Sequence, residues 1–384
     1  VMRASFLLDP GIRFLNHGSF GACPREVLEA WHAWQLRMER NPVAFLARES
    51  AGLLAAVRAR LGAFLGARPE DLILVPNATT AVNTVARSLE LREGDEVLAP
   101  DMEYGACEAA WEWACARTGA RYRRVGIPLP FEAEAFADTV WAAVTPRTRV
   151  LFLSHLCSAT ALVLPLEALL ARARSAGILT VVDGAHAPGQ LDLDLDHLGA
   201  DFYTGNGHKW LCGPKGTAFL HARSEHHARL HAPVVSWGYR SEDGEAGHEG
   251  YAGNSLLEHR LQWQGTRDVA AFLALGDALE FLERVDWRAR RAEGHALAVE
   301  AAARMAALTG LPPLAKAGDF VQMVALPLPG VDGPAFQEAL RERFRIEVPV
   351  TRHAGRCFLR PSFQMYNTAA DLEALLEAVE ELLG

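Results

Sequence analysis

Between residues 72 and 222 the chain carries seven short β-rich runs: "LILVP", "DEVLAP", "YRRVGI", "RVLFLSHL", "ILTVVDGA", "DFYTG" and "GTAFLHA". Most are near-continuous in apolar residues, as strands covered on both faces must be. Helix-like segments such as "TTAVNTVARSLEL", "ACEAAWEWACARTG" and "LEALLARARSAG" separate several of them. That alternation indicates βαβ units and a mostly parallel sheet. After about residue 266 the rhythm changes to long Ala/Leu/Glu/Arg helices, a strand-like "RCFLRPSF" and a closing helix "AADLEALLEAVEELLG". The expected fold is therefore α/β. Residues 1–20 form an N-terminal arm, 21–265 a large domain with a seven-stranded, mostly parallel sheet between helices, and 266–384 a smaller α+β domain. The Gly-rich, acidic stretch 240–255 reads as a mobile loop or interface arm.

The bulk properties narrow the function. A net charge of −9 and the absence of basic runs argue against nucleic acid as a partner. No apolar run approaches the ~18 residues of a membrane span, and the first residues lack the basic-then-apolar order of a secretory signal. The six cysteines show no CxxC pair and no regular spacing, which disfavours zinc fingers and a disulfide framework. The expectation is a cytoplasmic protein with reduced thiols and no metal.

Of the 38 basic residues only Lys209, Lys215 and Lys316 are lysines. Arginine serves as well on a solvated surface but cannot replace lysine where an amine must lose its proton and act as a nucleophile. Two of the three lie six positions apart in "GNGHKWLCGPKG", just after an apolar run. In open α/β sheets ligands bind beyond the carboxyl ends of the strands, and those ends carry a set of polar groups. Asn77, Thr79 and Thr80 follow the first run, at the start of a helix suited to a phosphate. Tyr104 follows the second, Ser154, His155 and Ser158 the fourth, Asp183 and His186 the fifth, Asn206, His208 and Lys209 the sixth. Asp183 ends an apolar strand, so its carboxylate needs a cationic or protonated partner. An amine nucleophile, a buried anion, a flat aromatic ring and a helix N-terminus on one rim describe a pyridoxal phosphate site.

On these residues, and on "LNHGSFG", "WQGTRD" and "RPSFQMYN", the chain resembles the class V aminotransferase family of fold-type I pyridoxal phosphate enzymes. Within it, the chain is most similar to isopenicillin N epimerase-like proteins and their relatives in ergothioneine biosynthesis. The resemblance implies that Lys209 carries the cofactor as a Schiff base, Asp183 pairs with the pyridine nitrogen, His186 sits near the phenolic oxygen and Tyr104 stacks on the ring. It implies that Thr79, Thr80, Asn206 and His208 hold the phosphate, with Thr266 reaching it from the second subunit of a homodimer. Ser158 joins the cofactor site, Arg360 binds the substrate carboxylate, and His17 lines the substrate pocket unless it is a plain turn residue. Lys215 reads as structural.

Two departures bear on the reaction. Cys357 lies three residues before Arg360 in the same strand and should point to the opposite face, unlike the mobile nucleophile of desulfurases. Ala161 stands where relatives often have Gly, and Ser158 where desulfurases have Asn. The leading expectation is an epimerase-like enzyme acting at Cα of an amino acid. A C–S β-lyase or an aminotransferase shares its first step. A hydrolase with a metal on His155, Asp183, His186 and His208, or a scaffold that has kept only the fold, is the reading from another class. A nucleotide enzyme lacks its glycine motif.

Overall fold

In the computed structural model, residues 2–240, 251 and 253–384 are described; most of the stretch expected to form a mobile arm lies outside them. The chain opens with a two-residue strand, β1 (Arg13–Phe14). The large sheet follows: β2 (Leu72–Val75), β3 (Glu96–Pro100), β4 (Arg121–Val125), β5 (Thr148–Ser154), β6 (Leu179–Asp183), β7 (Phe202–Asn206) and β8 (Ala218–Ala222). Their order is β2-β8-β7-β6-β5-β3-β4. The neighbours from β7 through β4 are parallel, and β8 runs antiparallel between β7 and β2. All seven β-rich runs of the sequence are strands of this one sheet.

Strand alternation divides the core in two. Leu74, Leu98, Leu151, Leu153, Val182 and Phe219 face a layer that includes helices Ser50–Leu65 and Ala270–Arg284. Ile73, Val75, Val97, Phe152, Val181 and Leu220 face helices Ala78–Ser88 and Gly105–Thr118. The edge strand β4 is the exception, with Arg121, Arg123 and Arg124 on it and little of it buried. Charge on an exposed edge discourages pairing with another chain.

The C-terminal part contributes β9 (Leu326–Pro327), β10 (Ile346–Glu347), β11 (Val350–His353) and β12 (Arg356–Leu359). Three of these form a small antiparallel sheet, β11-β12-β9, while β1 pairs in parallel with β10. The N-terminal arm is thereby tied to the far end of the chain. A third core built from Leu15, Ala298, Phe336, Leu340, Leu359 and Leu372 holds this body together. Helix Ala270–Arg284 instead packs on helices Arg25–Arg40 and Ser50–Leu65 of the large body. Among the described residues no helix is long and apolar enough to cross a membrane.

Candidate active site

The parallel strands end on one side of the sheet, at a cavity of about 300 Å³. Ser154 ends β5, Asp183 ends β6 and Asn206 ends β7, and all three line it. Lys209 follows Asn206 by one tight loop. Its Nζ lies 2.9 Å from Nε2 of His186. Burial lowers the pKa of this amine to about 7, against the opposing pull of the Asp183 charge. His186 is itself buried and held well below its ordinary pKa by that burial. Its neutral ring therefore accepts from the lysine amine, and its Nδ1 has no partner among the described residues.

Asp183 is 3% exposed. Its Oδ1 accepts from the Ala185 N–H at 2.9 Å, and the Cys107 thiol lies 3.3 Å from Oδ2. No cation is paired with it among the described residues, so burial raises its pKa. Such a carboxylate fits a protonated ring nitrogen that the protein itself does not supply.

The N-terminus of helix Ala78–Ser88 opens on the same cavity. Asn77 caps it, accepting from the Thr80 N–H at 2.8 Å and from the Thr80 hydroxyl at 3.0 Å. Asn206 accepts from the Ala78 N–H at 2.9 Å. The Thr79 amide between them is unused by the cap, and Thr79 lines the cavity with Asn77 and Ala78. Thr80 does not line it, because its hydroxyl is turned back to the cap. Lys215, expected as structural, does donate to the Gly21 carbonyl at 2.8 Å, yet it also lines the cavity as a cation. A helix N-terminus with a lysine beside it suits a phosphate dianion. His208 lines the cavity too, with Nδ1 bound to the Thr217 carbonyl at 3.1 Å and a pKa lowered by burial to about 4. In that neutral tautomer its other nitrogen is an acceptor, so it joins a phosphate only as the imidazolium.

Arg360 follows β12 and is 3% exposed. It donates to the Ser158 carbonyl and, at 3.3 Å, to the Ser19 hydroxyl, while its Nε has no partner among the described residues. No carboxylate is paired with it among the described residues, and burial lowers its pKa to about 10. An unpaired buried guanidinium fits a substrate carboxylate. Ser19 and Ser158 line the cavity beside it, and Tyr104 stands half-exposed at its mouth as the N-cap of helix Gly105–Thr118.

His17 does not line the cavity. It is fully buried, with Nδ1 2.9 Å from the Tyr366 hydroxyl and Nε2 3.0 Å from the Lys209 carbonyl oxygen. Burial takes its pKa down to about 3. Its place is behind the lysine loop, which it fixes from the backbone. The turn after it requires Gly21, at φ +72, where a Cβ would meet the His208 carbonyl oxygen at 2.0 Å. Thr266 lines a second cavity of about 400 Å³ with Val43, Trp237 and Trp263, apart from the site of its own chain. Ala161 holds a left-handed φ of +58, a conformation that glycine adopts without strain. The metal reading fails geometrically: His155 is tied to the Tyr203 hydroxyl, and His155, Asp183, His186 and His208 form no ligand group among the described residues.

Two residues escaped the sequence reading. Glu103 is buried and receives hydrogen bonds from the Ser154 N–H at 2.8 Å and hydroxyl at 2.6 Å. Burial pushes its pKa up to about 8. Cys107 sits against Asp183. Each follows the second strand, beside the one residue there, Tyr104, that the sequence singled out.

The family model for aminotransferase class-V matches residues 18–375. The isopenicillin N epimerase of Amycolatopsis lactamdurans is 40% identical, over 99% of this chain and 97% of that protein. A probable chloroplastic L-cysteine desulfhydrase of Arabidopsis thaliana is 32% identical, over 98% and 84% respectively. The cysteine desulfurase CsdA of Escherichia coli shares the fold with a TM-score of 0.83 at 24% identity, covering 100% of this chain and 97% of that one.

Proposed function

This chain belongs to the aminotransferase class-V family and is a pyridoxal 5'-phosphate-dependent enzyme, and on that premise we propose that it acts as an isopenicillin N epimerase-like isomerase on an amino acid. The observation that carries this reading is the Lys209 amine, buried and near-neutral against His186, in a cavity whose lining residues Ser19 and Ser158 hold the buried Arg360 guanidinium behind them. When bound, the cofactor supplies an electron sink that makes the Cα–H bond acidic.

The chain's residues would do the rest. Lys209 would anchor the cofactor, and Asp183 would lie against its protonated ring nitrogen. Thr79, the helix N-terminus, Asn206 and Lys215 hold the phosphate end. Arg360 grips the substrate α-carboxylate and so fixes which Cα bond is presented. Once the substrate amine has displaced it from the cofactor, Lys209 would move the Cα proton at its freed Nζ. Burial that holds this amine well below the ordinary lysine range suits a group that takes and returns a proton. His186 keeps the amine aimed by accepting its hydrogen bond. Delivery to the opposite face needs a second group, and Tyr104 is at the cavity mouth for it. His17 is not available, since both its ring nitrogens are engaged behind the loop.

A C–S β-lyase is the second reading, favoured by the desulfhydrase similarity. Incubating candidate amino acids with the enzyme in D₂O separates them. Epimerisation returns both configurations with deuterium at Cα and no keto acid. β-Elimination gives pyruvate and ammonia, and transamination leaves the cofactor in its amine form. Either of the last two outcomes overturns the isomerase reading. A homodimer and a cytoplasmic location belong to the same proposal. They are supported by Thr266 lying beside the exposed Trp237 and Val43, and by six buried cysteines, none of them disulfide-bonded.

A further inference from the structure

At the opposite end of β2 from the cavity, three side chains far apart in sequence converge. Asp71 immediately precedes β2, His221 lies in β8 opposite Leu72, and Asp196 lies in the short helix Leu195–Leu198. One ligand atom from each falls within 4.8 Å of the other two. His221 is 1% exposed, and neither of its ring nitrogens has a hydrogen-bond partner among the described residues. A buried polar group without a partner is costly, so this imidazole is unexplained by the described residues alone.

We propose that His221, Asp71 and Asp196 bind one divalent transition ion of the zinc class, which clips the short helix to the antiparallel edge of the sheet. Nε2 of His221 lies 3.8 Å from Oδ1 of Asp196. Ligands at about 2.0–2.2 Å from a shared tetrahedral zinc ion stand roughly 3.3–3.6 Å apart, so these atoms must draw closer to share one. Asp196 is half-exposed and can close any remaining gap, while leaving a water access to the fourth position. Asp71 is 1% exposed and already oriented. Its Oδ2 accepts from Arg68 Nε at 2.9 Å, and Arg68 Nη2 is 2.5 Å away. That arrangement leaves Oδ1 as the ligand atom and makes Arg68 the outer partner that ligating carboxylates usually have. His227, 3.1 Å from Oδ1, also donates to the Ala222 carbonyl at 2.9 Å and can keep that bond when the ion takes Oδ1. One imidazole and two carboxylates, with no thiolate, suit zinc and its neighbours better than calcium or magnesium.

The test uses the holoenzyme and zinc sulfate. After equilibration and dialysis, the wild type should retain one equivalent of zinc and gain thermal stability. Asp196→Ala, a change at a half-exposed side chain that leaves the core intact, should bind more than about tenfold more weakly. His221→Gln should lose binding, and if that variant does not fold, Asp196→Ala decides. X-ray absorption at the zinc edge should show only nitrogen and oxygen neighbours. No retained zinc would leave a water as the partner of His221 and overturns the proposal. So does undiminished binding in Asp196→Ala, or a sulfur shell at about 2.3 Å, which would place the ion on cysteine.

Discussion

Nζ of Lys209 stands 2.9 Å from Nε2 of His186, and among the described residues no carboxylate pairs with either. The amine is therefore charged only at the expense of burying an unpaired cation, which is why its pKa falls to about 7. Cofactor capture requires the neutral amine. Its neutral fraction rises about tenfold from pH 6 to pH 8 if the pKa is near 7. The rate at which apo-enzyme takes up pyridoxal phosphate should rise through that range and level off. A rate still climbing tenfold per pH unit at pH 9 would return Lys209 to an ordinary lysine. Borohydride fixation and peptide mapping should put the label on Lys209, and a label on Lys215 alone would reverse the assignment.

Asp183 is destabilising as a bare anion. Its folded-state pKa lies above the ordinary carboxylate range, so the folded apo-protein holds its proton more tightly than the unfolded chain. The resulting stability is present at low pH and is lost as pH rises from the unfolded value through the folded one. Asp183→Asn should thus leave the apo-protein at least as stable as wild type at pH 7. The loaded enzyme should lose more than about 100-fold in activity. Thermal melts and steady-state rates on the same samples check both halves; a less stable apo-protein would mean that the carboxylate is paired in a way the structure lacks.

His17→Ala should cost about 2–4 kcal/mol of stability, because it leaves the Tyr366 hydroxyl and the Lys209 carbonyl without their partner in a packed region. KM for the amino acid should change little, since the ring is not in the cavity. Denaturant titration and a KM measurement distinguish this from a substrate contact, which would raise KM with stability unchanged.

The strands were readable because a sheet covered on both faces leaves a run of apolar residues that needs no partner to be recognised. The rim followed from the strand ends, since Asp183 and Asn206 are the first polar groups after such runs. What depends on packing between distant segments was not readable. "LNHGSFG" does not say that His17 turns inward to the lysine loop; that is decided by β1 pairing with β10 and by the close approach of Gly21 to His208. The scarcity of lysine that marks Lys209 applies equally to Lys215, but nothing in "GPKG" says that this side chain reaches the cavity. Asp71, Asp196 and His221 share no spacing at all, because two antiparallel strands and a separate helix bring them together.

The last prediction concerns sulfur. Cys357 lies in β12, three residues before Arg360, packed in the C-terminal core with its Sγ 3.9 Å from the Val331 carbonyl oxygen. Cys107 does line the cavity, but burial raises its pKa well above the ordinary thiol value, and the Asp183 charge adds to the shift. Neither thiol is therefore placed to take sulfur from a bound cysteine: Cys357 packs in the C-terminal core and Cys107 is held as the thiol. Cys357→Ser should therefore leave any sulfide release from free cysteine within about twofold of wild type, a change of under ~0.5 kcal/mol in barrier. Arg360→Ala should lower kcat/KM for the true substrate by about 100-fold or more, because a buried guanidinium that meets the carboxylate is worth roughly 2–5 kcal/mol. Measuring both variants on the same amino acids separates the roles. A robust sulfide release abolished by Cys357→Ser would show that β12 turns this thiol toward the cavity and would move the enzyme to the desulfurase side of its family. Loss confined to Arg360→Ala leaves chemistry at Cα, with no cysteine in it, as the work of this site.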